Sequence, residues 1–176
     1  MSDPRSVAGG APSEVARALV AELARRGLTL AVAESLTGGL VAAAVVDVPG
    51  ASAVLIGGVV AYATPVKHSL VGVDAALLAE RGAVDPQVAE QLADGVRRAC
   101  AVDGRPADVG IGTTGVAGPD PQDGHEAGEV YVGIASPRGI RSVRLALDGG
   151  RAVIRRGAVE AALAAALDEV AALPVT

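Results

Sequence analysis

The chain contains no phenylalanine and no tryptophan, and its only aromatic residues are Tyr62 and Tyr131. Its apolar residues, 51% of the total, are therefore almost wholly Ala, Val and Leu. A core made of such side chains lacks large rings to span gaps, so its backbones are expected to approach closely. The single cysteine, Cys100, excludes an internal disulfide and is compatible with a reducing compartment. Its apolar, helical surroundings read as those of an inert core thiol. No block of basic residues exists, and the formal charge is -5, so the chain offers no electrostatic footprint for nucleic acid or an anionic membrane surface. No direct nucleic-acid binding is expected, and an anionic ligand would have to be held locally. No uncharged apolar run of membrane-spanning length escapes interruption by turn residues, and the opening lacks the basic and hydrophobic regions of a signal peptide. The expectation is a cytoplasmic protein without membrane association.

At 176 residues the chain fits a single domain with a real core. Residues 1–12 lack apolar periodicity and read as a flexible tail, followed by one domain over 13–176. Ser13 caps a predicted helix reaching about Arg26, stopped by Gly27. A short apolar run over 28–33 suits a buried strand, and 37–46 suits a helix opened by Gly38 and Gly39. Residues 54–62 carry the β-branched enrichment of a second strand, and Thr64-Pro65 reads as a helix start. Asp74 and Asp85-Pro86 predict two further N-caps, with helices to about Arg81 and Ala101 on either side of Gly82. A third strand is expected over 107–113, then a polar Gly/Pro/Asp loop from Val116 to Ala127. Alternation over 129–136 and 140–147 predicts an antiparallel hairpin, and 152–173 a terminal helix. Helices interleaved with strands, ending in a hairpin, imply an α/β fold: one three-layer α/β/α domain around a mixed sheet filled mainly by Val, Ala and Leu.

Ser35 lies between a buried strand and a glycine-rich helix start, where backbone N–H groups lack intrahelical partners. That position suits a nucleophile or an anion, and it equally suits a plain helix cap by Ser35 or Thr37. A serine nucleophile needs a base. The two histidines, His68 and His125, have no acidic partner at a telling spacing. Lys67 is the only lysine, every other basic side chain is arginine, and arginine does not deprotonate at working pH. A desolvated, neutral lysine can accept a serine proton, so Lys67 is the candidate base; the alternative is a solvated lysine on a short helix. Tyr62, at the end of the preceding strand, could relay or orient that proton, or be a tyrosine at the core edge. Thr114 and Gly115 join a strand to a glycine-rich turn that could receive a carbonyl or phosphate, or be shaped by glycine geometry alone. Arg151 and Arg155, spaced i, i+4, could grip a phosphate or form a solvated face.

Taken together, AESLTGG (33–39), DVPGAS (47–52), GGVVAYATPVK (57–67), GTTGVAGP (112–119), GEVYVGIA (128–135) and GRAVIRR (150–156) resemble, in order and spacing, the C-terminal domain of the competence/damage-inducible CinA family. The resemblance covers nearly everything from 13 to 173. Stand-alone members are nicotinamide-nucleotide amidases, which hydrolyse nicotinamide mononucleotide to nicotinate mononucleotide and ammonia as Ser-Lys hydrolases. The resemblance therefore implies catalytic roles for Ser35, Lys67 and Tyr62. It implies substrate contacts from Thr37, Gly38, Gly39, Thr114, Gly115, Arg151 and Arg155, a small nucleotide as substrate, no metal or organic cofactor, and a homo-oligomer. The oxyanion would be received by the backbone at Thr37–Gly39 or at Thr114-Gly115. Larger CinA proteins carry an additional N-terminal domain, which is not expected here.

The chain departs from the family pattern at Leu36, where Cys is frequent, at 63–65, where Ser-Asn-Glu is usual, and at Asp85, where Ser usually caps the helix. Its 119–129 loop lacks the usual lysine and much of the usual glycine. None of these changes removes a catalytic group. Two other functions remain open: a Ser-Lys amidase for a different small amide, and a non-catalytic interaction protein in the competence or DNA-damage response.

Overall fold

The computed structural model describes residues 11–174. Ten residues of the expected N-terminal tail lie outside that range.

In order along the chain, the elements are α1 (Glu14–Arg26), β1 (Leu30–Glu34), α2 (Leu40–Val46), β2 (Leu55–Val60), α3 (Thr64–Val71), α4 (Ala75–Arg81), α5 (Pro86–Ala99), β3 (Val109–Gly115), β4 (Glu129–Ser136), β5 (Gly139–Ala146) and α6 (Arg151–Ala171). The expected caps are in place. Ser13 accepts from the Ala16 N–H, Asp74 from Ala76 and Leu77, and Asp85 from Gln87, while Gly27 closes α1 with a φ of 64°. Pro86 starts α5, where its missing N–H costs nothing.

The sheet is mixed and open, in the order β2-β1-β3-β4-β5. β1 pairs parallel with both β2 and β3, whereas β3-β4 and β4-β5 are antiparallel. Helices α1, α2 and α6 cover one face; α5 lies across the other, with α3 packed on α5 and α4 on α3. The expected three-layer α/β domain is what forms.

Alternation along the strands builds two different faces. Leu30, Val32, Val109, Ile111, Val132 and Ile134 point toward α1, α2 and α6, where they meet Leu19, Leu23 and Leu163. Each fully buried Leu or Ile in that layer contributes about 1.5–3 kcal/mol. The opposite face carries Ala31 and Ala33 on β1, Gly110 and Gly112 on β3 and Gly133 on β4. There α5 descends onto bare backbone: a Cβ at Gly133 would lie 2.0 Å from the Ala89 carbonyl oxygen, and one at Gly110 would lie 1.9 Å from that of Ala93. The close approach required by a ring-poor composition is thus concentrated under one helix.

Candidate active site at the ends of the parallel strands

Because β1, β2 and β3 run parallel, their carboxyl ends share one edge of the sheet. β2 and β3 lie on opposite sides of β1, so that edge opens a crevice at a topological switch point. Ser35 follows the last residue of β1, Tyr62 and Lys67 follow β2, and Thr114 and Gly115 end β3.

The segment after β1 does not enter a helix at Thr37 as expected. Gly38 and Gly39 take φ values of 60° and 95°, left-handed conformations that favour glycine, and α2 begins only at Leu40. The turn is held from below by Glu34, whose side chain is 1% exposed. Its carboxylate accepts from the N–H groups of Gly39 (2.9 Å), Val41 (3.0 Å) and Ala42 (2.8 Å), satisfying the free amides at the start of α2. A strand residue capping the helix five positions later leaves no local sequence signal, and the sequence reading passed over it.

Ser35 donates its N–H to the Thr113 carbonyl at 3.1 Å. Thr37 is buried and shares a 2.8 Å hydrogen bond between its hydroxyl and that of Thr113. The Gly38 N–H is taken by the Ser35 carbonyl, and that of Gly39 by Glu34. The amides of Gly38 and Gly39 are therefore occupied within the turn, and Thr37 serves to join β1 to β3.

Lys67 sits in the first half of α3 and is 1% exposed. Its Nζ lies 3.0 Å from Ser35 Oγ, 2.8 Å from the Ala61 carbonyl oxygen and 3.3 Å from that of Tyr62. No carboxylate among the described residues pairs with it, and burial lowers its pKa from 10.5 to about 8. A neutral amine has two N–H donors and one lone pair, which match two carbonyls and one hydroxyl proton.

The cavity above this pair is lined by Ser35, Leu36, Tyr62, Thr64 and Lys67 on one side. The segment from Thr114 to Gly118, with Asp120, Gln122 and Arg151, forms much of the rest. The Thr114 hydroxyl donates to the Ala83 carbonyl, and Thr114 and Gly115 line the cavity from the end of β3, where they stand opposite Tyr131 and Val130 of β4. Tyr62 is 58% exposed, and its hydroxyl accepts from Arg151 Nη2 at 2.9 Å. It is the Tyr62 carbonyl, not its phenol, that meets Lys67. Arg151 also donates to the Gly118 carbonyl at 2.9 Å, which places its guanidinium at the cavity mouth.

Arg155 departs from both expectations for it. It neither lines the cavity nor lies free in solvent; it donates from Nε to the Leu36 carbonyl (2.9 Å) and from Nη2 to that of Thr37 (2.8 Å). The i, i+4 spacing on α6 puts Arg151 and Arg155 on one side, and the serine turn lies close enough to capture only the second.

A family model described as the CinA C-terminal domain matches residues 12–170. The chain belongs to the CinA C-terminal domain family. Among curated relatives, this CinA domain is 45% identical over 168 residues to a CinA-like protein of Frankia casuarinae, covering 96% of this chain and 38% of that protein. A CinA-like protein of an Anaeromyxobacter species is 47% identical over 159 residues, covering 90% and 38%. The chain thus spans 38% of the length of these relatives. The fold is similar to that of a competence-damaged protein (CinA) superfamily protein from Klebsiella pneumoniae, with a TM-score of 0.84 and 29% identity over 91% of this chain and 98% of that one. It is likewise similar to the competence/damage inducible protein CihA of Agrobacterium tumefaciens, with a TM-score of 0.81 and 32% identity over 93% and 99%. No helix among the described residues is long and apolar enough to cross a membrane.

Proposed function

We propose that this CinA domain is a nicotinamide-nucleotide amidase that hydrolyses the carboxamide of nicotinamide mononucleotide by Ser-Lys acyl transfer. The observation that carries the reading is Lys67 Nζ, buried with no counter-charge among the described residues, 3.0 Å from Ser35 Oγ. Such a lysine is neutral in a large fraction of molecules near its lowered pKa of about 8 and can act as a general base at working pH.

Lys67 takes the Ser35 hydroxyl proton as Oγ attacks the carboxamide carbon. The tetrahedral intermediate collapses by breaking its C–N bond, and Lys67 returns the proton to the departing nitrogen, which leaves as ammonia. The ester on Ser35 is then attacked by water, with Lys67 again taking the proton, and the carboxylate product leaves as Ser35 is reprotonated. Tyr62 supports this through its backbone carbonyl and through its hold on Arg151. In this reading Arg151, which lines the cavity and is the one arginine that does so among the described residues, receives the phosphate. A homo-oligomer belongs to the same reading, and light scattering of the purified chain is its test.

The reading is tested by ammonia release from nicotinamide mononucleotide by the wild type, Ser35→Ala and Lys67→Ala, each checked for a native circular dichroism spectrum. Turnover by the wild type and its loss in both variants support the dyad. A folded wild type that releases no ammonia rejects this substrate.

A further inference from the structure

The serine turn is gripped from a second side, by a side chain of α6 that never reaches the cavity. Arg155 carries no carboxylate partner among the described residues, and two of its N–H groups are spent on the main-chain carbonyls of Leu36 and Thr37. Gly38 is needed there for room as well as for its φ, since a Cβ would stand 3.2 Å from Arg155 Nη2. An arginine used in this way supplies geometry: its planar fork bridges two acceptors that a single ammonium cannot hold in the same arrangement.

The consequence runs through rigid peptide planes, in which C=O and N–H point in opposite directions. Holding the Thr37 carbonyl sets the Thr37–Gly38 plane, whose Gly38 N–H donates to the Ser35 carbonyl at 3.0 Å. That bond in turn sets the Ser35–Leu36 plane and turns the Leu36 N–H away from Gly38. Leu36 lines the cavity, and its N–H has no protein acceptor among the described residues. An N–H on the residue after a nucleophile, fixed in advance and unpaired, is suited to a developing oxyanion.

We propose that Arg155 is a positioning residue that presets the Leu36 N–H as an oxyanion donor beside Ser35. The proposal rests on the reading of Ser35 as nucleophile, but not on which amide is the substrate. It separates Arg155 from Arg151: the first acts on the chemical step, the second on ligand binding.

The test is the rate at which a biotinylated fluorophosphonate labels Ser35. In that reaction the Oγ–P bond forms, the P–F bond breaks with loss of fluoride, Lys67 takes the hydroxyl proton, and the phosphoryl oxygen occupies the oxyanion position. Arg155→Gln and Arg155→Lys, checked for an unchanged melting profile, are expected to label about 100-fold more slowly than the wild type. Added guanidinium is expected to restore part of the rate to Arg155→Ala. With nicotinamide mononucleotide as substrate, kcat is expected to fall in parallel while KM stays within about twofold. Wild-type labelling rates in folded Arg155 variants overturn the proposal, as does a defect confined to KM for the phosphorylated substrate. A folded wild type that does not label at all removes the nucleophile reading and this proposal with it, whereas labelling without ammonia release removes only the proposed substrate.

Discussion

Lys67 Nζ stands 3.0 Å from Ser35 Oγ, and its other two acceptors are the main-chain carbonyls of Ala61 and Tyr62. The serine comes from the end of β1 and the lysine from the helix after β2, so the pair exists only because those strands are parallel neighbours.

Activity is expected to follow the lowered lysine pKa. The protonated form cannot accept the serine proton, so kcat/KM falls as pH drops through about 8, and the limb reports the free enzyme. A pH profile from 6 to 10 checks it; a limb centred near 10.5, the ordinary lysine value, contradicts it.

Stability carries the same signature. Between about 8 and 10.5 the unfolded chain holds a proton that the folded chain has released, so stability rises with pH across that window. Below it, the cost of burying the lysine is present in full. Relative to Lys67→Met, the wild type is expected to gain stability between pH 7.5 and pH 10, read by urea denaturation at both values.

Glu34→Gln retains the size of the side chain and removes the charge that three amides share. A loss of about 1–3 kcal/mol is expected in urea denaturation, because acceptors for the start of α2 become neutral or are lost. Fluorophosphonate labelling of Ser35 is expected to slow in the same variant, since the turn loses its lower support.

Much of this arrangement was legible in the sequence, and the limits follow from particular residues. The caps at Ser13, Asp74 and Asp85 act within two or three positions, so local chemistry revealed them. The strand-turn context of Ser35 and the solitude of Lys67 could likewise be read directly. The 37–39 stretch reads as helix in the sequence but forms a turn, because its glycines permit left-handed conformations that the neighbouring Ala and Val do not advertise. Glu34 and Arg155 act across the turn through main-chain atoms, whose identity is the same for every residue type; no pattern of side chains encodes such contacts. The sequence suggests that the Tyr62 phenol could relay or orient the Lys67 proton, whereas in the structure the Tyr62 carbonyl meets Lys67 and the phenol meets Arg151.

The glycines beneath α5 offer a contrast in cost. Gly133→Ala drives a methyl group into the Ala89 carbonyl and is expected to cost about 3 kcal/mol, whereas Gly27→Ala meets no atom within 4 Å and pays only for its left-handed φ, about 1 kcal/mol. Chemical denaturation of the two variants reads the difference; equal losses would contradict the close approach of α5.

Removing the guanidinium at the cavity mouth tests ligand recognition separately. Arg151→Ala is expected to raise KM for nicotinamide mononucleotide about tenfold or more while leaving KM for nicotinamide riboside nearly unchanged, because only the nucleotide carries the phosphate. Equal effects on both substrates would assign Arg151 to the cavity wall instead.

The most direct test of the central claim is mass spectrometry of the protein acid-quenched within its first turnovers on nicotinamide mononucleotide. The account predicts an acyl adduct on the peptide containing Ser35, absent from Ser35→Ala; ammonia release that continues in folded Ser35→Ala, with no adduct in the wild type, would contradict it.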